Sequence, residues 1–151
     1  MLSFLFKKKE KENETIKFFQ EEHQALLQMY NDILALANES KFSELKSQIP
    51  MFVNTFMEHI KKEADEIYTF LENNLDINKD GLLLNEIKSI KKDMIPIRKK
   101  VDILHLKYRE LDSKNVRNFI EDFNYLGGVL LKRIEIEEHK LFQYYLKKQK
   151  R

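Results

Sequence analysis

Apolar residues recur at steps of three and four through four segments of this 151-residue chain, and that spacing points to long helices packed along shared seams. In the first segment Ile16, Phe19, His23, Leu26, Tyr30, Ile33 and Ala37 fall on one stripe, and Asn38 to Ser40 supplies a break. In the second, Leu45, Ile49, Phe52, Phe56, His59, Glu63, Ile67 and Phe70 do the same, with Pro50 early enough to kink the helix without ending it. A polar connection runs from Asn73 to Gly81. The third stripe is Ile87, Ile90, Met94, Ile97, Val101, Leu104, Tyr108 and Leu111. After Asp112 to Asn115 the fourth is Val116, Phe119, Phe123, Leu126, Leu130, Arg133, Glu137 and Tyr144.

With only 3 Gly and 2 Pro, the chain lacks the turn chemistry that a sheet of short strands requires. Gly127 and Gly128 lie inside the fourth helix, where each costs about 1 kcal/mol relative to Ala. The pair is therefore expected to mark a close backbone approach to a neighbouring helix. Each stripe has the width of a bundle seam, and short connections make consecutive helices antiparallel neighbours. The expected fold is all-α: an antiparallel up-down-up-down four-helix bundle over residues 13–149, after a flexible N-terminal segment at 1–12.

Charge and composition remove several classes of function. Lys and Arg number 27 against 25 acidic residues, for a net charge of +2, and the charges are interspersed along the helices. That is not the field of a dedicated nucleic-acid binder, and no nucleic-acid partner is expected. Most of the 11 Phe and 6 Tyr sit at seam spacing, so the core accounts for them better than base stacking does. The absence of Cys removes disulfides, thiolate metal sites and cysteine nucleophiles together, leaving His and carboxylates as the metal-binding groups. Leu2, Phe4, Leu5 and Phe6 precede Lys7, Lys8 and Lys9, the reverse of the order in a secretory signal. No stretch approaches the roughly 20 apolar residues of a spanning helix. A cytoplasmic location without a transmembrane segment is expected.

The seams carry residues that do not belong in an apolar core. His23, His59, Glu63, Arg133 and Glu137 all occupy core positions. Burying an unpaired charge costs several kcal/mol, so these groups must be paired, protonated or bound to an ion. His59 and Glu63 are four residues apart, which stacks them on one helix face, one turn above the other. An imidazole and a carboxylate at that spacing suit one divalent cation, and His23 and Glu137 from two other helices would complete the set.

These segments resemble the hemerythrin-like (HHE cation-binding) family. The second helix reads HIKKEADEIYTFLE from His59 and the fourth reads RIEIEEHKLFQYY from Arg133, both similar to that family's His followed four residues later by Glu. EEHQALLQMY around His23 is similar to the family's lone early His, and DMIPIRKKVDIL around Met94 to its counterpart in a second repeat. The resemblance implies a two-iron centre to which each half supplies a lone His and a His–Glu pair. Carried over position by position, His23, His59 and Glu63 match in the first half and Glu137 in the second. Met94 and Arg133 stand where the remaining histidines belong. Met is a soft ligand, and Arg, effectively always protonated, cannot coordinate a metal. An intact two-iron centre is therefore not expected; Arg133 would reach Glu137 and, across the bundle, Glu63, supplying a positive charge in place of the second metal.

Three other features are set aside. His105 lies beside the third seam at a different height from Arg133 and reads as a boundary residue, and His139 reads as solvated. Asp76, Asn78, Asp80 and Gly81 fit the start of a calcium loop, but its last position is Ile87 instead of Glu, so an Asx-rich turn is expected. The function expected is non-catalytic: one iron or other divalent metal in the bundle core, sensing iron, oxygen or nitric oxide and biasing a protein partner. The alternative is a metal-free helical interaction module whose former metal site Arg133 fills. A two-metal oxidase fits least, since no separate arrangement of nucleophile, base and oxyanion donors is visible.

Overall fold

A computed structural model describes residues 13–149, and all the expectations for residues 1–12 fall outside them. Helix α1 (Glu14–Asn38) begins at Asn13, whose side chain accepts a hydrogen bond from the Ile16 amide at 3.3 Å. Glu14 in the first turn complements the helix dipole. The chain leaves α1 through Ser40, at a left-handed φ of 57°, a conformation that stops a helix. Helix α2 (Phe42–Glu63) runs through Pro50 without ending, passes into a π-helical turn (Ala64–Tyr68) and continues as α3 (Thr69–Asn74).

The third rod of the bundle is two helices, α4 (Gly81–Lys92) and α5 (Met94–Lys107), where the periodicity predicts one. Pro96 supplies the physical reason. It has no N–H to donate to Lys92, four residues back, and its ring crowds that carbonyl, so the chain restarts at Met94 with Pro96 inside the first turn. Helix α6 (Val116–Ile136), a second π-helical turn (Glu137–Leu141) and α7 (Phe142–Gln149) form the fourth rod. Asp112 and Asn115 close the corner before it: the Asp112 side chain accepts from the Lys114 amide at 2.8 Å, and the Asn115 side chain accepts from the Asp112 amide at 2.9 Å. The segment from Asp76 is an Asx turn of the kind its sequence predicts, with the Asp76 carboxylate accepting from the Asn78 amide at 2.9 Å.

Each rod packs on the next, and the fourth returns to the first, so the four close a square of antiparallel neighbours. The described residues contain no strand, and no helix among them is long and apolar enough to cross a membrane. The predicted all-α up-down-up-down bundle is the fold observed.

Both π-helical turns correct the predicted seams. Each accommodates an extra residue, which rotates the chain beyond it by about one residue's step, roughly 100°. Phe70 and Tyr144, expected on the seam, are only half-buried at its flank. Tyr68 and Leu71 take the core positions in the second rod, and Leu141, Phe142 and Tyr145 in the fourth. Tyr30, Leu111 and Val116 are likewise half-buried, at the margin of the core.

The glycine pair divides. A Cβ on Gly127 would come within 2.1 Å of the Tyr30 hydroxyl, whereas one on Gly128 would meet nothing within 4 Å. The close approach at Gly127 is made by a side chain, not by a helix backbone: Tyr30 lies over it and donates to the Phe123 carbonyl at 3.1 Å.

The core has two apolar parts. One, built around Ile33, Leu45, Phe52, Val101, Phe119 and Phe123, fills the end of the bundle beside the 39–41 and 108–115 connections. The other, built around Phe19, Ile67, Leu71, Ile87, Leu141 and Phe142, fills the opposite end. Between them lies a layer of buried polar groups.

Candidate metal centre

That layer consists of His23 on α1, His59 and Glu63 on α2, Arg133 on α6 and Glu137 at the start of the second π-helical turn. Each is at most 5% exposed. One ligand atom from each of His23, His59, Glu63 and Glu137 can be chosen so that all four lie within 4.8 Å of one another. The structure thus brings together the four residues singled out as ligands.

The imidazoles are oriented by groups that the seam pattern does not reveal. His23 Nδ1 is 2.6 Å from Glu138 Oε2, and His59 Nδ1 is 2.9 Å from Glu22 Oε1, so each ring donates outward to a half-buried carboxylate. The Nε2 atoms face inward. His23 Nε2 is 3.1 Å from Glu137 Oε1 and 3.5 Å from Glu63 Oε2, and His59 Nε2 is 3.3 Å from the same Glu63 oxygen. Aromatic packing fixes the rings further: Phe142 stacks on His23 at 7° and 5.7 Å, and Phe19 meets His59 edge-on at 5.7 Å.

In the metal-free protein these groups perturb one another. Burial by itself lowers the pKa of His23, but hydrogen bonding to Glu137 and Glu63 outweighs it and raises the value to about 10. For His59 burial again acts downward, and Glu63 leads the groups that turn the net shift upward. Burial and the charge of Glu63 push Glu137 up to about 8. Glu63 moves the other way despite its burial, held far below the usual carboxylate range by hydrogen bonds involving Glu137, His23 and His59. Two carboxylates this close titrate as a pair, one early and one late.

The donor set could hold a metal ion. Glu63 Oε2 and Glu137 Oε2 are buried and make only ion-pair contacts of 3.3–3.5 Å, with His23 and His59 on the one and Arg133 Nε on the other, without a well-aligned hydrogen bond among the described residues, an arrangement that a cation in the space they face would improve. Ligands bound at ~2.0–2.2 Å to one tetrahedral ion stand ~3.3–3.6 Å apart; three contacts among the inward atoms lie at 3.1–3.5 Å, and all four atoms lie within 4.8 Å of one another. With each Nδ1 facing an outer carboxylate, both Nε2 atoms turn toward Glu63 or Glu137, and on losing its proton each would be in the tautomer that ligation requires.

Arg133, at the position where the resemblance implies a histidine, is engaged inside the layer. Arg133 Nε is 3.4 Å from Glu137 Oε2, and Nη2 donates to the Tyr68 hydroxyl at 2.7 Å. The expectation that Arg133 also reaches Glu63 is corrected: among the described residues its partners are Glu137 and Tyr68. The π-helical turn is the cause, since it swings Tyr68 inward to meet the guanidinium. Burial and the charge of Glu137 push the Tyr68 phenol up, so it remains a hydroxyl. Met94 is buried beside the cluster and offers no charge.

Tyr68, Glu22 and Glu138 were not legible as site residues. A tyrosine near a seam reads as core, and an acid beside a seam residue reads as surface. The one available signal was adjacency, since Glu22 precedes His23 and Glu138 follows Glu137. His105 is half-buried away from the cluster, and His139 is exposed.

A sequence-family model described as the hemerythrin HHE cation binding domain matches residues 14–145. No curated protein and no solved structure matches the chain.

Proposed function

The chain belongs to the hemerythrin HHE cation-binding domain family, and from that membership we propose a non-catalytic protein that holds one divalent metal ion, iron foremost, in its bundle core. His23 and His59 would bind through Nε2 and Glu63 and Glu137 through carboxylate oxygens. Arg133 replaces the charge of a second ion without any redox chemistry of its own. The observation that carries this reading is the shared orientation of the two histidines, each with Nδ1 on an outer carboxylate and Nε2 turned toward two buried carboxylates.

A site with an iron and no partner metal suits the sensing of iron level, oxygen or nitric oxide better than reversible carriage by a metal pair. Binding would add a cross-link among three of the four rods, and a protein partner could read that change in rigidity.

The test is elemental analysis of protein purified anaerobically from iron-supplemented cells. About one transition metal ion per chain is expected, lost in His59→Ala. Metal-free wild-type protein under those conditions would overturn the reading. It would favour the second one, a metal-free interaction module, which the contacts of Arg133 with Glu137 and Tyr68 support.

A further inference from the structure

Helix α5 is apolar on two sides. Met94, Ile97, Val101 and Leu104 are buried in the bundle, yet Ile95, Ile103 and Leu106 on the outward side are 51%, 62% and 62% exposed. A bundle helix that meets water keeps its outer side polar, and a helix apolar all round is covered on both sides. One exposed aliphatic side chain needs no explanation, but three on a single face of a 14-residue helix form a patch. Ile95, Lys99, Asp102 and Leu106 follow one another at steps of four, three and four, the spacing of a seam, and Ile103 stands beside Asp102.

Most neighbouring charges are engaged to either side of this stripe. Lys107 pairs with Asp122 on the fourth rod at 3.1 Å, and Lys100 lies over the Tyr125 ring at 5.2 Å. Arg98 borders the cleft between the third and second rods, whose rim Ile95 also reaches. The charges left on the stripe itself are Lys99 and Asp102, both exposed and without an ion-pair partner among the described residues.

The stripe complements itself. When two copies of α5 lie antiparallel about a two-fold axis centred between Lys100 and Val101, Ile95 faces Leu106 of the second copy and Lys99 faces its Asp102. Such a pairing is isologous, so each contact occurs twice: two ion pairs near the axis and an apolar layer beyond each. Ile103 falls opposite Arg98 of the second copy, whose aliphatic stem can cover it. A parallel pairing in register would instead set Lys99 against Lys99 and Asp102 against Asp102, so the charges select the antiparallel direction.

We infer that the outward face of α5 is a homodimer interface, occupied by the same face of a second copy of this chain. The stripe is bounded by the break at Asp93 and by the end of α5 at Lys107. One helix pair of this length falls short of the roughly 1,200 Å² of a standard interface, so a weak, reversible dimer is expected. None of these contacts involves the polar layer, so the dimer does not depend on the single-metal reading.

The test is sedimentation equilibrium of the full chain from about 10 μM to about 1 mM, the range in which a weak dimer forms. A reversible monomer–dimer equilibrium is expected in the wild type. Lys99→Asp and Asp102→Lys should each weaken it at least tenfold, because each homodimer then meets like charges at both ion-pair positions. An equal mixture of these two variants should associate again to near the wild-type extent, since one copy brings two aspartates and the other two lysines. Leu106→Glu should abolish the dimer, whereas Leu131→Glu, at an exposed leucine of the fourth rod, should leave it unchanged. All these positions are exposed, and circular dichroism of each variant checks that the bundle is intact. A wild type that stays monomeric throughout the range overturns the inference. So does a dimer indifferent to Leu106→Glu, or a mixture of the charge variants that associates no better than either alone.

Discussion

Arg133 is the residue that separates the one-metal reading from a two-metal one. It is buried and engaged with Glu137 and Tyr68. Removing it as Arg133→Leu leaves a buried carboxylate and a phenol without their partner, and breaking a buried pair in this way typically costs ~3–5 kcal/mol. Urea unfolding of metal-free Arg133→Leu should show a loss of that size; a change below ~1 kcal/mol would mean that the guanidinium is not structurally engaged. Replacing both altered positions, Met94→His with Arg133→His, should raise bound iron from about one to about two ions per chain, read by elemental analysis. The candidate ligands were legible because charge at a seam position conflicts with burial. Tyr68 was not, because nothing about a buried tyrosine conflicts with its surroundings until the guanidinium beside it is known. Glu22 and Glu138 look like any surface acid in a chain so rich in them.

Among the elements, the fourth rod offers a matched pair of tests. Gly127→Ala gains helix propensity of about 1 kcal/mol, but its methyl collides with Tyr30, and overpacking of this kind costs about 1–3 kcal/mol. A net loss is expected, reversed when Tyr30→Ala is added. Gly128→Ala meets nothing and should stabilise by about 0.5–1 kcal/mol. Thermal unfolding of the two variants should move in opposite directions. At the corner joining α5 to α6, the Tyr108 hydroxyl donates to Asp122, and with Lys107 it holds that carboxyl below its usual value of 3.8. A lowered carboxylate pKa contributes stability above the unfolded value, lost as pH falls through the folded one. An NMR titration should place Asp122 below 3.8, and Tyr108→Phe should return it toward that value.

The four rods were legible from spacing, and Pro50 and Pro96 show where that legibility stops. One proline lies within a continuous helix and the other beside a break, and the spacing of the stripes is the same through both. The π-helical turns were hidden for a related reason. With regular spacing, Phe70 and Tyr144 are as apolar as the residues that displace them, so hydrophobicity could not register the extra residue. What distinguishes Tyr68 is a hydrogen bond to another rod, a tertiary fact.

Across the molecule, the polar layer divides two apolar cores, so binding at the layer is coupled to the stability of the whole bundle. An ion present at 100 times its dissociation constant stabilises the folded state by about 2.7 kcal/mol. For a domain of this size that corresponds to a rise of roughly 5–10 °C in the unfolding midpoint, which a chelator should abolish. A midpoint indifferent to both iron and chelator would count against any ion in the layer.

The two π-helical turns, one directly after Glu63 and one beginning at Glu137, set how such an ion leaves. A widened turn is a place where the backbone ladder opens at less cost than in the helices on either side. Amide hydrogens there should exchange sooner than those of the flanking turns. Each carboxylate can then swing aside through local breathing, without melting either apolar core. Release of an ion need not wait for global unfolding, so a chain that is hard to unfold can still release its ion quickly.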